Sequence, residues 1–128
     1  MPPGGSFVCV WTYVAATMGS SAILLGAFGA HGLRDKVTPE RIANWQTAAS
    51  YHLAHALAIL ALALFAKATG RSVTLPASLF SVGIVFFSGS IYLLVLTGQK
   101  WLGPITPLGG LLMAAGWLAL IPLARAAT

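Results

Sequence analysis

Residues 42–66 read IANWQTAASYHLAHALAILALALFA, with no charged side chain between Arg41 and Lys67. About 20 apolar residues suffice for a helix to cross a hydrocarbon layer about 30 Å thick, so this stretch reads as a membrane span. The same pattern extends outward in both directions. Residues 1–33 carry no charge, and Arg34, Asp35, Lys36, Glu40 and Arg41 follow as a cluster. Residues 72–99 and 101–124 are also uncharged, bounded by Lys67 and Arg71, by Lys100, and by Arg125. The charges therefore mark loops and span ends, and spans are expected near 7–30, 47–67, 75–97 and 106–124. All four belong to one membrane domain covering residues 1–128.

The composition agrees with this placement. Charged residues make up 7% of the 128, against about 25% in a soluble globular domain, and hydrophobic residues make up 58%. The mean hydropathy is +0.87. Such a chain cannot build a water-facing surface, which excludes disordered and soluble-enzyme readings. The net charge of +5 comes from scattered cations rather than a basic face, so lipid phosphates are the expected partners and nucleic acid is not. The single cysteine, Cys9, lies in an apolar stretch and supports neither a disulfide framework nor a zinc site.

Helix-terminus chemistry sharpens the boundaries. Thr38-Pro39-Glu40 reads as an N-cap, a first-turn proline and a first-turn acid. A helix from Pro39 to Lys67 would be about 43 Å long, longer than the hydrocarbon core. Its first turns are therefore expected in the headgroup zone. Leu75-Pro76 should open the third span and Thr106-Pro107 the fourth. The expected fold is all-α: a polytopic membrane protein, a four-transmembrane-helix bundle with an interfacial N-terminal extension on the second helix. A cleaved signal peptide is not expected, because residues 1–10 contain no Lys or Arg and the first apolar run is too long. An even span count puts both termini on one side. Four Lys or Arg on one side against three on the other leave the orientation open.

Inside lipid, close packing of small residues brings helices together. Gly19, Gly26 and Gly29 supply such contacts on the first span, Gly83 and Gly89 on the third, and Gly109 and Gly110 on the fourth. The second span offers Ala54, Ala58 and Ala61. Trp11, Tyr13, Trp45, Trp101 and Trp117 lie toward span ends and read as interfacial anchors.

No Asp, Glu, Lys or Arg falls at hydrocarbon depth, which removes most proton-coupled transport and argues against a small multidrug-exporter type of dimer. No nucleophile-plus-base arrangement is present either, so no catalytic residues are assigned and the protein reads as non-enzymatic. The candidate chemistry rests on three histidines. His52 and His55 are one helical turn apart, Tyr51 and His55 also meet, and His31 ends the first span. These imidazoles could ligate a metal or haem, although His-x-x-His is weakly specific and no acid or thiol joins them. They could instead lock helices through Ser88, Ser90, Tyr92, Gln46 or backbone carbonyls, or line a pocket for a quinone or lipid headgroup. No cofactor is assigned.

Several phrases in one order carry a family resemblance. They are Gly26-Ala27-Phe28-Gly29-Ala30-His31-Gly32-Leu33, Trp45-Gln46-Thr47-Ala48, Tyr51-His52 with His55-Ala56-Leu57, Phe87-Ser88-Gly89-Ser90-Ile91-Tyr92, and the run from Trp101 to Gly110. Over residues 15–122 the chain resembles the YgdD family, domain-of-unknown-function family 423, of small bacterial inner-membrane proteins. A related set of small eukaryotic transmembrane proteins, associated with mitochondria, is similar. The resemblance implies a four-helix protein of a bacterial or mitochondrial inner membrane and implies no activity. His31, Trp45, Gln46, Tyr51, His52, Trp101 and Thr106 are expected to cluster at one membrane face, with His55 beside them. The expected role is an accessory or assembly component that meets the lipid bilayer and other membrane subunits or itself. The alternatives are a haem, metal, quinone or lipid binder using the histidine face, and a passive channel or carrier.

Overall fold

The computed structural model describes residues 4–125, with side chains from Val10 onward. The apolar setting expected for the Cys9 side chain lies outside the described residues. Every regular element among them is helical: α1 (Gly4–His31), α2 (Pro39–Thr69), α3 (Thr74–Thr97) and α4 (Ile105–Leu118). A short 3-10 turn at Lys100–Leu102 precedes α4 and another at Ile121–Ala124 follows it. Four stretches are long and apolar enough to cross a membrane: Val10–His31, Pro39–Thr69, Thr74–Thr97 and Lys100–Ala124.

The second helix starts and stops as its sequence dictates. Thr38 is extended, its hydroxyl accepts from the Arg41 N–H at 3.2 Å, and Pro39 fills the first turn. The helix runs 31 residues, about 46 Å, so its N-terminal turns project beyond a hydrocarbon layer of about 30 Å. Gly70 ends it at φ 72, a left-handed turn that a side chain would strain, with its N–H on the Ala66 carbonyl.

The fourth span departs from expectation at its start and in its helix type near the end. Thr106 does not cap α4, which opens at Ile105 with Pro104 in the cap position; the Thr106 hydroxyl meets Ser90 instead. The α-helix stops at Leu118 and a 3-10 turn carries the span on to Ala124, because Pro122 has no N–H to donate and its ring clashes with an α-helical carbonyl one turn back. Fourteen residues reach only about 21 Å, and the flanking 3-10 turns complete the crossing. Arg71 ties down the far end. Its guanidinium donates to the carbonyls of Leu123 at 2.9 Å, Arg125 at 2.7 Å and Pro122 at 3.1 Å.

The helices pack in sequence order, α1 on α2, α2 on α3 and α3 on α4, so α2 and α3 hold the interior. A methyl group on Gly29 would fall on the Trp45 indole, and one on Gly109 would fall on the Phe87 backbone. Gly83 packs as closely on Met113, and Gly116 on Phe80. Gly26 and Gly110 make ordinary contacts. Gly19 and Gly89 have no neighbour within 4 Å of where a methyl would sit, so they face away from the other helices of the chain.

The α3·α4 approach has a specific cause. At Val85–Gly89 the third helix opens into a single π-turn, which pushes its backbone toward α4. Gly109 receives that bulge. The turn also re-aims side chains: Ser88 bonds the Ala48 carbonyl of α2 at 2.7 Å, while Ser90 meets Thr106 of α4 at 2.5 Å.

Two apolar clusters result. One joins Leu33, Trp45, Ala48, Tyr92 and Val95 toward the 31–38 loop. The other joins Ile59, Leu62, Val73, Phe80, Ile84 and Met113 toward the 70–73 loop. His52 and His55 lie between them on α2.

Candidate functional site

That layer between the clusters is where the polar side chains of the spans converge. In hydrocarbon each of them must find a partner, since water is not there to supply one.

His52 links three helices. The Ser21 hydroxyl donates to the Met18 carbonyl at 3.0 Å, so its oxygen accepts from His52 Nε2–H at 3.1 Å. The other ring nitrogen, Nδ1, then accepts from the Tyr92 hydroxyl at 3.0 Å. One neutral tautomer satisfies the whole chain of bonds, from α3 through α2 to α1.

His55 settles its own tautomer. Indole N–H only donates and a carbonyl only accepts, so Trp117 Nε1–H donates to His55 Nε2 at 3.0 Å and His55 Nδ1–H donates to the Tyr51 carbonyl at 2.7 Å. The imidazole also stands edge-on to Phe80 and Trp117, at 5.3 and 5.8 Å between centroids. Both rings are buried, at 5% and 7% exposure. All four nitrogens are in use, so binding a metal would require breaking one of these bonds.

The α1·α2 seam carries two further bonds nearer the loop. Trp45 Nε1–H donates to the Leu25 carbonyl at 2.6 Å, and the Gln46 amide to the Gly26 carbonyl at 3.2 Å. Trp45 is 1% exposed and packs between Phe28 and Tyr92, so it is a core residue rather than an interfacial anchor. Trp117 points its N–H inward to His55 but leaves about half of its side chain on the outer surface, 49% exposed. A tryptophan that turns inward needs a partner for its N–H, and the Leu25 carbonyl and His55 supply one to each of these indoles.

The expected single-level cluster separates by depth. His31 is exposed in the last turn of α1. Ser21, the α1 partner of His52, lies ten residues earlier, about 15 Å deeper into the membrane. His55 is midway along α2, sixteen residues from Pro39 and fourteen from Thr69. The structure therefore connects Trp45, Gln46, His52, His55 and Thr106 to the helix-linking bonds, gives Tyr51 a ring contact with Phe87 of α3 and a carbonyl bond to His55 within α2, and leaves His31 and Trp101 on the exposed end. No group of three or more His, Cys, Asp or Glu is placed to share a metal among the described residues.

Sequence reasoning named Tyr92, Ser88 and Ser90 as partners but missed Ser21 and Trp117. Helical spacing held the signal for both. Ser21 is four residues before Leu25, on the face that receives Trp45, and Trp117 is four after the buried Met113.

Comparison with known proteins places this architecture in a family. A family profile described as "Protein of unknown function (DUF423)" matches residues 25–110, which include every helix-linking bond of α2 and α3 except those to Ser21 and Trp117. A UPF0382 membrane protein of Staphylococcus epidermidis is 42% identical over 112 residues, covering 88% of this chain and 92% of its own. One from Staphylococcus aureus is 45% identical over 100 residues, covering 78% and 82%. The UPF0382 membrane protein YwdK of Bacillus subtilis is 44% identical over 102 residues, covering 78% and 83%. No solved structure matches. With four apolar spans and agreement over most of its length with membrane proteins of bacteria, the chain belongs to the DUF423 family of multi-pass membrane proteins.

Proposed function

We propose that the protein is a non-enzymatic structural component of a larger membrane assembly. The observation that carries this reading is the closed state of its interior chemistry. The imidazoles, the indoles of Trp45 and Trp117, and the hydroxyls of Ser21, Ser88, Ser90, Tyr92 and Thr106 are spent on one another or on helix carbonyls. Such a network fixes helix register and offers no nucleophile, open ligand position or proton acceptor to a substrate. The outer surface supports the same reading. The first helix packs chiefly on α2, and its outer face presents Ala16, Gly19, Ser20 and Ala27, small enough for another helix to approach.

Native electrophoresis and co-purification in a mild detergent test the proposal. Migration in a larger species with a reproducible membrane-protein partner is expected. Migration only as the isolated chain, with nothing co-purifying, would end it. A cofactor-binding role makes the opposite prediction, a purified protein with visible absorbance or bound metal that is lost in a His52→Leu, His55→Leu variant.

A further inference from the structure

An apolar groove of about 370 Å³ runs between α2, α3 and the last turns of the fourth span, within the range of about 300–1,000 Å³ common to ligand sites. Ala58, Ala61 and Phe65 form one wall, Phe80 the floor, and Trp117 and Leu123 the opposite wall. The alanines leave open the space that larger side chains would occupy. Trp117 contributes its ring only, because its N–H is bonded to His55. Within hydrocarbon such a concavity takes an alkyl chain and rejects anything that needs a polar partner.

The groove ends beside a cationic cluster. Leu123, a wall residue, gives its carbonyl to Arg71, so the guanidinium stands within hydrogen-bond distance of the groove wall. This end of the molecule holds Lys67, Arg71 and Arg125. The chain has only two acids, Asp35 and Glu40, and both lie at the opposite end. Glu40 sits in the first turn of α2 and Arg71 beyond its last, about 46 Å away. Among the described residues the bonds of Arg71 go to neutral carbonyls and its guanidinium lies over the Phe65 ring at 5.9 Å, so no carboxylate neutralises its charge there. At the opposite end, four cations share the surface with both acids.

We infer that the groove binds one acyl chain of an anionic phospholipid, with its phosphate held at the Lys67, Arg71 and Arg125 end. Bulk lipid coats every apolar face alike. What separates this site is a concavity sized for a ligand that opens beside the end of the protein that carries no Asp or Glu. The acyl chain fills the groove, and the cations select the headgroup.

Native mass spectrometry of the full chain, released from vesicles of equal phosphatidylglycerol and phosphatidylcholine, tests the site. Retention of about one phosphatidylglycerol per chain is expected, in preference to phosphatidylcholine. Ala61→Phe should fill the groove and abolish retention. Arg125→Gln leaves the backbone carbonyl that Arg71 uses and should cut the headgroup preference about fivefold, the effect of one cation near a membrane surface. Retention without headgroup preference overturns the inference, as does retention unchanged in a folded Ala61→Phe variant. Should Ala61→Phe fail to fold, an unchanged preference in Arg125→Gln overturns it alone. A partner-free protein that retains phosphatidylglycerol would refute the assembly role and leave this site standing.

Discussion

The α1·α2 seam and the α3·α4 seam solve the same problem by different means. Both join antiparallel helices inside lipid, where apolar area supplies little attraction, and both rely on glycine. At Gly29 the facing group is a side chain, the Trp45 indole, held by its bond to the Leu25 carbonyl. At Gly109 the facing group is backbone, pushed forward by the π-turn of α3. A side chain can rotate away at the expense of its contacts, whereas a backbone moves only if its helix moves. The first seam is therefore adjustable and the second rigid.

The difference predicts unequal responses to one added methyl group. Gly109→Ala should be the most damaging change, at or above the upper end of the roughly 1–3 kcal/mol range for overpacking, because either α4 or the π-turn must shift. Thermal unfolding in detergent would measure it. A loss below that of Gly29→Ala would show that the two seams do not differ in rigidity. Gly29→Ala should cost about 1–3 kcal/mol by displacing the indole. Adding Trp45→Ala removes both indole atoms that the methyl meets, so the double variant should be more stable than the two single losses would sum to. Strict additivity would mean that Trp45 is not the obstacle.

The two seams also differ in how far they can be read from sequence. Charge placement delimits four spans, and Thr38-Pro39 locates the start of α2 to the residue, because caps and prolines act locally. Small residues recurring along α1 and α2 mark their contact for the same reason. The π-turn has no such signature. Phe86-Phe87-Ser88-Gly89 looks like ordinary membrane helix, and only the position of Gly109 on another helix explains why the bulge is tolerated. The separation of His52 and His55 from His31 was illegible for a related reason. Counted along the chain, His52 and His55 look level with His31, yet the register of α2 on α1 sets His52 beside Ser21, ten residues earlier, and register is a property of the pair. Trp101 and His31 remained at the exposed end, where the residue types alone suffice to place them.

The polar layer couples the seams, and single bonds within it should matter less than backbone clashes. Tyr92→Phe removes the donor to His52 Nδ1 and should cost about 0.6 kcal/mol and no more than about 1.7, the average and the maximum found for hydrogen bonds between membrane helices by double-mutant cycles. Trp117→Phe should fall in the same range, since it leaves His55 Nε2 without its donor. A much larger loss from either, in the same unfolding assay, would place the balance of the fold in the polar layer rather than in the glycine contacts.

Gly19→Ala should have the smallest effect on the isolated chain, within about 0.5 kcal/mol, because the added methyl meets nothing. That makes it the most discriminating variant for the outer face of α1. A helix docking there would approach closely over Gly19 and meet the methyl directly. An unchanged unfolding temperature together with a loss of the larger species on a native gel would assign the glycine to a contact outside the chain. If both are unchanged, Gly19 has no packing role, and the partner, if it binds, must use a face other than the one α1 turns away from α2.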